Sequence, residues 1–142
     1  MNVHIKNKKK LSGFKQKVKS RTKRNGRQPL EKVIKALNPL LRGFTQYFRI
    51  ANAKGCFREL ARWIRRRLRS IQLKLWKKPK RLHRRLKQMG YKPPFDSIAM
   101  NRRRNSASPL ASYAMPNKWF TTIGLYDIES IETGYVFSAY VK

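Results

Sequence analysis

The feature that most limits the fold is an unbroken apolar stripe within residues 56–77. Its members recur at spacings of three and four residues, the period of one face of an α-helix. A helix of this length would extend for roughly 30 Å. The pattern predicts a long amphipathic helix that buries the stripe formed by Phe57, Leu60, Ala61, Ile64, Leu68, Ile71 and Leu75.

Shorter apolar repeats around this segment predict further helices. One helix is expected over about 29–37, and Asn38-Pro39 is predicted to end it and begin another that runs to about residue 50. Asn is a good N-cap, and Pro is tolerated at the first helical position. After the long helix, Pro79 is predicted to open one more helix and Gly90 to end it.

The two ends of the chain are less regular. Residues 1–28 form a basic extension in which a short helix is expected over about 11–20. From residue 91 onward prolines break the pattern, so one or two helical turns are predicted near 108–123 and a strand or ordered extension over 134–141. The predicted fold is all-α: a small bundle of three to four helices over 29–90, followed by an irregular segment over 91–142.

Charge is the second strong constraint. The chain has 36 Lys and Arg residues against six Asp and Glu residues, a formal charge of +30. Nearly all of it lies in residues 1–104, which carry +31, whereas residues 105–142 carry −1. Such a charge attracts polyanions through counterion release, so nucleic acid is the predicted partner and an anionic membrane is a weaker alternative.

Composition also narrows the location of the protein and its covalent chemistry. No run of 18 apolar residues is present, and no apolar stretch follows the basic N-terminus as in a signal peptide. The expected location is therefore the cytoplasm, or an organellar matrix in a eukaryote, and not outside the cell. A lone Cys56 provides neither a disulfide framework nor a cysteine zinc site and is expected to be an inert thiol.

The charged side of the 56–77 helix is the predicted binding surface. Nine cations lie between residues 58 and 78, opposed by Glu59 alone. A solvated helix face is the alternative, but such faces usually mix both signs. Arginine presents a planar fork that matches phosphate oxygens. The candidate RNA-binding residues are Arg58, Arg62, Arg65, Arg66, Arg69, Lys77, Lys78, Lys80, Arg81, Arg84, Arg85, Arg102, Arg103 and Arg104.

Four aromatic residues near this surface have two interpretations. Trp63 and Trp76 lie off the apolar stripe, and Tyr47 and Phe48 end the preceding helix. Each either extends the core or stacks on an RNA base. Core packing is the favoured prediction for all four.

One series of residues resembles a known family. The run Leu37 to Phe44, which reads LNPLLRGF, and the run Tyr47 to Ile50 resemble the maturase-specific segment of group II intron-encoded reverse transcriptases. The similarity continues through Phe57, Trp63 and Trp76-Lys77-Lys78-Pro79, and more weakly over 101–126. Phe44 stands where Trp is commoner in the family, a swap expected to preserve packing.

This resemblance implies a thumb-like helical bundle, called domain X in the family. In that family it binds intron RNA, supports folding of the RNA for splicing, and helps to hold template and primer. The family's catalytic Tyr-x-Asp-Asp motif is absent from this sequence. The chain is therefore expected to be an RNA-binding maturase module for structured group II intron RNA, without finger and palm regions.

Catalytic and metal-binding residues are predicted to be absent, and no cofactor is implied. Two-metal polymerase chemistry needs neighbouring carboxylates. The acids Asp127, Glu129 and Glu132 are clustered in sequence, but a helix start or a solubilising tail is the favoured interpretation. His4 and His83 lack the companions of a nuclease centre, and His83 is expected to face solvent or RNA.

Two alternatives to the maturase module remain open from the sequence. In the first, the chain is the C-terminal subunit of a split or decayed reverse transcriptase, with a separate finger-palm chain as partner. In the second, it is a generic basic protein that binds DNA or a membrane. The predicted long helix, charged along its length, is unlike a short DNA-recognition helix.

Overall fold

The computed structural model describes residues 3–23, 27–48, 54–96, 98–100 and 103–131. All regular structure in these residues is helical, so the predicted all-α class is confirmed. The strand predicted over 134–141 lies outside the described residues. The helices are α1 (Val3–Arg21), α2 (Leu30–Phe48), α3 (Lys54–Trp76), α4 (Pro79–Gln88), α5 (Pro109–Ala114) and α6 (Asn117–Thr122), with 3-10 turns at Arg103–Ala107 and Ile128–Ser130.

The long helix is α3, and its predicted apolar stripe forms the centre of the core. Phe57, Ile64 and Leu68 are almost completely buried. The second half of α3 is covered on further sides as well, because Ser70 and Leu73 are buried although neither belongs to the stripe. A helix that is buried on several sides is packed between two layers of structure.

The prediction that Asn38-Pro39 separates two helices was wrong, because α2 is continuous through Pro39. A proline inside a helix removes one backbone hydrogen bond and costs about 3 kcal/mol or more. Burial of Leu37, Leu41 and Phe44 on both sides of the proline offsets this cost. The Asn38 side chain is also engaged elsewhere: it donates to the Gly124 carbonyl oxygen at 2.8 Å and accepts from the Tyr126 amide at 2.9 Å.

The predicted limits of α4 are confirmed. Pro79 occupies its first turn, and Gly90 follows its end with a φ of 96°. A left-handed residue at this position lets the chain leave the helix, and glycine adopts it without steric cost. Leu82 and Leu86 are fully buried beneath the helix.

One continuous core joins the bundle to the segments on either side of it. From α1, which is longer than the short helix predicted, Phe14 stacks on Phe44 with ring centroids 4.0 Å apart. From the segment after residue 90, Met115, Phe120 and Ile128 enter the same cluster. The irregular segment is therefore packed against α3 through its described part, up to residue 131.

No helix in the described part of the chain combines the length and apolar character needed to cross a membrane.

Candidate nucleic-acid interface

The first half of α3 carries a line of exposed arginines. Arg58, Arg62 and Arg66 are all exposed and are spaced four residues apart, so they lie along one side of the helix. Successive members are about 6 Å apart along the helix axis. None of the three makes an ion pair with a carboxylate in the residues that the structure describes. We call these three residues the arginine row.

A second group of exposed cations surrounds the beginning of α4. No acidic residue lies in the first turn of this helix, and Lys78 at its N-cap makes no side-chain capping bond. The helix dipole therefore adds to the positive charge at this end. We call this group the corner cations: Lys77, Lys78, Lys80, Arg81 and Arg84, all exposed.

Two predicted binding residues do not lie on an open surface. Arg65 and Arg69 are each only 9% exposed. Arg65 Nη2 donates to Glu129 Oε1 at 2.7 Å. Arg69 donates through Nε to the Met115 carbonyl oxygen and through Nη2 to Asn117 Oδ1, both at 2.9 Å. The expectation of one exposed arginine face is corrected at these two positions.

Arg85 is half-buried rather than free. Its Nε donates to the Ala114 carbonyl oxygen at 3.2 Å, and its guanidinium lies 5.4 Å from the centre of the Trp119 ring. Arg102 lies outside the described residues, as do the side chains of Arg103 and Arg104. The predicted roles of these three arginines stay predictions.

Arg67, which is not among the predicted binding residues, is buried and connects α3 to the residue that follows α1. Arg67 Nε donates to Thr22 Oγ1 at 2.6 Å, and its guanidinium lies over the Trp63 ring at 5.6 Å. We call Arg65, Arg67, Arg69 and Arg85 the docked arginines, because each donates at least one hydrogen bond to a distant part of this chain.

The pKa of Arg69 is lowered to about 10. Burial is the main cause, because it penalises the charged form, and the nearby charge of Arg65 is the smaller one. Arg69 is still cationic at neutral pH. It therefore keeps the charge that strengthens its hydrogen bonds to Met115 and Asn117.

The four aromatic residues with two interpretations divide in the structure. Phe48 is buried, and Trp63 and Trp76 are partly buried against the core, as predicted. Tyr47 differs, because it is 46% exposed and carries the Lys10 ammonium 4.5 Å from its ring centre. Tyr47 lies next to the last residue of α2, and its ring packs edge-on against that of Phe48.

The acid cluster has structural roles. Asp127 accepts a bond from the Glu129 amide at 3.0 Å and so begins the 3-10 turn, the favoured interpretation, while Glu129 pairs with Arg65. Glu132 lies outside the described residues. Within the described ranges, no three His, Cys, Asp or Glu residues are grouped as a metal site would need.

The remaining reactive groups are partly covered. His83 is half-buried rather than facing solvent as expected, and its ring lies tilted against that of Phe95 with the ring centres 5.1 Å apart. Burial is the main cause that raises the pKa of the Cys56 thiol, with Glu59 adding to it and Lys15 opposing it. A raised pKa reduces the thiolate fraction, consistent with the inert thiol expected.

Comparison with protein families decides the affiliation of the chain. The sequence model of the group II intron maturase-specific domain matches residues 11–90. The chain belongs to this family. The match covers more than half of the sequence, from within α1 to the glycine that follows α4, and it describes the maturase-specific domain and not a polymerase domain. No curated protein matches the chain.

The exposed cations lie within the part of the sequence that matches the family. The arginine row and all five corner cations lie within residues 11–90. The partners of Arg65, Arg69 and Arg85, in contrast, lie beyond residue 90. The maturase-specific domain thus provides the open cationic surface, and the segment after it covers the neighbouring arginines.

Proposed function

We propose that this protein is an RNA-binding maturase module that binds group II intron RNA and supports its folding for splicing, with no polymerase active site of its own. Family membership supports intron RNA as the ligand class. The observation that carries the proposal is the arginine row together with the corner cations: eight exposed cations without an ion-pair partner among the described residues. Where intron RNA is the ligand, the proposed location is the cytoplasm or an organellar matrix.

The proposed mode of binding is recognition of the RNA backbone and its shape. Side chains cannot read the deep, narrow major groove of an RNA helix, so proteins bind such helices mainly through phosphates and 2′-hydroxyls. A line of three arginines on a rigid helix offers forked donors at regular intervals, a fixed array for the phosphates of a folded RNA. Sequence selection is not expected from such contacts.

The central test is the salt dependence of RNA binding. The logarithm of the affinity for a structured intron RNA should fall linearly with the logarithm of the salt concentration, with a slope that corresponds to at least about five neutralised phosphates. Fluorescence anisotropy over a salt series measures this slope. A slope near −1 would contradict backbone recognition.

A matched pair of triple variants locates the binding surface. Replacing Arg58, Arg62 and Arg66 with alanine should reduce the slope by about one unit for each phosphate that the variant no longer binds. The control replaces Lys19, Lys32 and Lys35, which are exposed on α1 and α2, and removes the same charge. If both variants weaken binding equally, net charge rather than the arginine row determines affinity.

The split-enzyme alternative needs a separate assay. Primer extension and nuclease cleavage are measured with the purified protein and magnesium or manganese, then repeated with a homologous finger-palm fragment. We expect no activity from the chain alone. Polymerisation only after mixing would favour the subunit of a split reverse transcriptase, whereas activity of the chain alone that Asp127→Ala removes would overturn the binding-module proposal.

A further inference from the structure

A groove between α1 and α2 is not part of the surface described above. It is open to solvent and has a volume of about 830 Å³, within the range of ligand sites in proteins. Its floor is apolar and aromatic, formed by the stacked rings of Phe14 and Phe44 together with Leu40. Tyr47 also lines the groove and is 46% exposed.

Two glycines keep the groove open. Gly13 on α1 and Gly43 on α2 both line it, and a Cβ atom added at either position would meet no atom within 4 Å. Glycine is the poorest helix former after proline, so each glycine costs some helix stability. Any larger side chain at these positions would project into the space that the groove encloses.

The charge at the edges of the groove indicates the kind of ligand. Lys9, Lys10 and Lys17 line it, and no acidic residue is among the lining residues. An apolar protein segment would gain nothing from three ammonium groups and would partly remove them from water. A ligand with flat apolar faces joined by a negatively charged backbone satisfies both the aromatic floor and the lysines.

We propose that this groove is a binding site for unpaired nucleotides of RNA, in which a base stacks on Tyr47 and the lysines bind the adjoining phosphates. The Lys10 ammonium lies over one face of the Tyr47 ring, 4.5 Å from its centre. A base therefore stacks on the other face or takes the place of Lys10, and in either case a phosphate-binding cation lies close to the base. Bases inside a duplex are stacked on one another and unavailable, so the site selects single-stranded segments. The inference rests on the proposed function only in taking RNA as the ligand; its site is separate from the arginine row.

The decisive variant fills the groove and leaves its lining side chains in place. Gly43→Leu places a side chain in open space and improves a helical position, so the melting temperature should not fall. Affinity for a fluorescent oligouridylate should fall by about tenfold, the order of effect expected when one base can no longer stack. Gln46→Leu adds the same side chain at an exposed position of α2 that does not line the groove, and it should leave the affinity unchanged.

Three further measurements define the site. Tyr47→Phe should retain binding and Tyr47→Ser should lose it, because stacking needs the ring and not the hydroxyl group. Ultraviolet cross-linking of a thiouridine-labelled oligonucleotide should label peptides from 9–17 and 39–48. Affinity for a blunt-ended RNA duplex, which has no unpaired nucleotides, should be unaffected by Gly43→Leu and reduced by the triple variant of the arginine row.

The outcomes separate this inference from the proposed function. Unchanged oligouridylate affinity in Gly43→Leu would overturn the nucleotide site and point to an apolar protein segment as the occupant. That result would leave binding through the arginine row intact. Failure of the unaltered protein to bind any structured RNA would instead overturn the proposed function, whatever the groove variant does.

Discussion

Two neighbouring rows of arginines on α3 have opposite environments, although they lie within a dozen residues of one another. Arg58, Arg62 and Arg66 form the exposed arginine row, without ion pairs to described carboxylates. Arg65 and Arg69 are buried and bonded to residues that lie 64, 46 and 48 positions away in the chain. One residue type thus holds the fold together in one row and remains available for a partner in the row beside it.

The difference follows from what covers each part of the helix. The segment 103–131 packs along α3 beside Arg65 and Arg69 and presents a carbonyl, an amide and a carboxylate to them. No described segment covers the arginine row in the same way. A buried guanidinium is tolerated where acceptors take its hydrogen bonds, and an exposed one remains hydrated. Arg69 is bonded through both Nε and Nη2, and Arg65 through Nη2, whereas the buried Nε of Arg65 has no partner in the part of the chain that the structure describes. Composition alone cannot distinguish these two environments.

The largest expected loss of stability comes from changes on the apolar side of α3. The effects of changes at both groups of arginines are compared with it. Ile64→Ala or Leu68→Ala should each lower the free energy of unfolding by about 2–5 kcal/mol, because each creates a cavity at a fully buried position. Chemical denaturation followed by circular dichroism measures the loss. Arg62→Ala on the exposed side is the control and should change it by no more than about 0.5 kcal/mol. The opposite ranking would show that the faces of α3 are assigned the wrong way round.

The next largest effect should come from a docked arginine. Arg69→Met keeps the aliphatic stem but removes both hydrogen bonds, leaving the Met115 carbonyl without its donor. A hydrogen bond to a charged group contributes about 1.5–3 kcal/mol, so a loss of that order is expected. Hydrogen exchange should quicken in α5 and α6. Arg66→Met, the matched change in the arginine row, should leave folding unaltered and weaken RNA binding.

If Arg69→Met instead weakened RNA binding while the melting temperature stayed constant, Arg69 would belong with the arginine row. The contrast between the two rows of arginines on α3 would then disappear.

The local part of the fold was predictable from the sequence because its determinants are local. The apolar stripe of α3 needs only residues three and four positions apart, and the limits of α4 need only Pro79 and Gly90. The break expected at Asn38-Pro39 was wrong for a nonlocal reason. The Asn38 side chain, expected to cap a new helix, is instead bonded to the backbone of Gly124 and Tyr126, more than 80 residues away.

The sequence did not show which arginines of α3 are exposed and which are buried, again because nonlocal contacts decide it. Positions 65 and 69 are as cationic as 62 and 66, and their acceptors lie in a segment without periodicity. One signal was present in the sequence. Leu73 lies on the side of α3 away from the apolar stripe, and an apolar residue there indicates a second covering layer. Four residues earlier on that side stands Arg69.

The smallest expected effect concerns the ion pair between Arg65 and Glu129. The Glu129 side chain is 35% exposed and that of Arg65 is 10% exposed, so water screens the pair in part. Exposed pairs contribute about 0–1 kcal/mol. Glutamine at position 129 keeps an oxygen that accepts a hydrogen bond from Arg65. We therefore expect Glu129→Gln to reduce the free energy of unfolding by no more than about 1 kcal/mol.

The matched control for this last change is Glu59→Gln, at an exposed acid without an ion pair among the described residues. Both variants remove one negative charge, so both should alter long-range attraction of RNA equally and give the same salt slope. Only Glu129→Gln should lower stability. If its salt slope became steeper than that of Glu59→Gln by about one unit, Arg65 would bind an RNA phosphate in that variant. Whether Arg65 is bonded within the chain or available to RNA would then depend on the charge of Glu129 and would not be fixed by the fold alone.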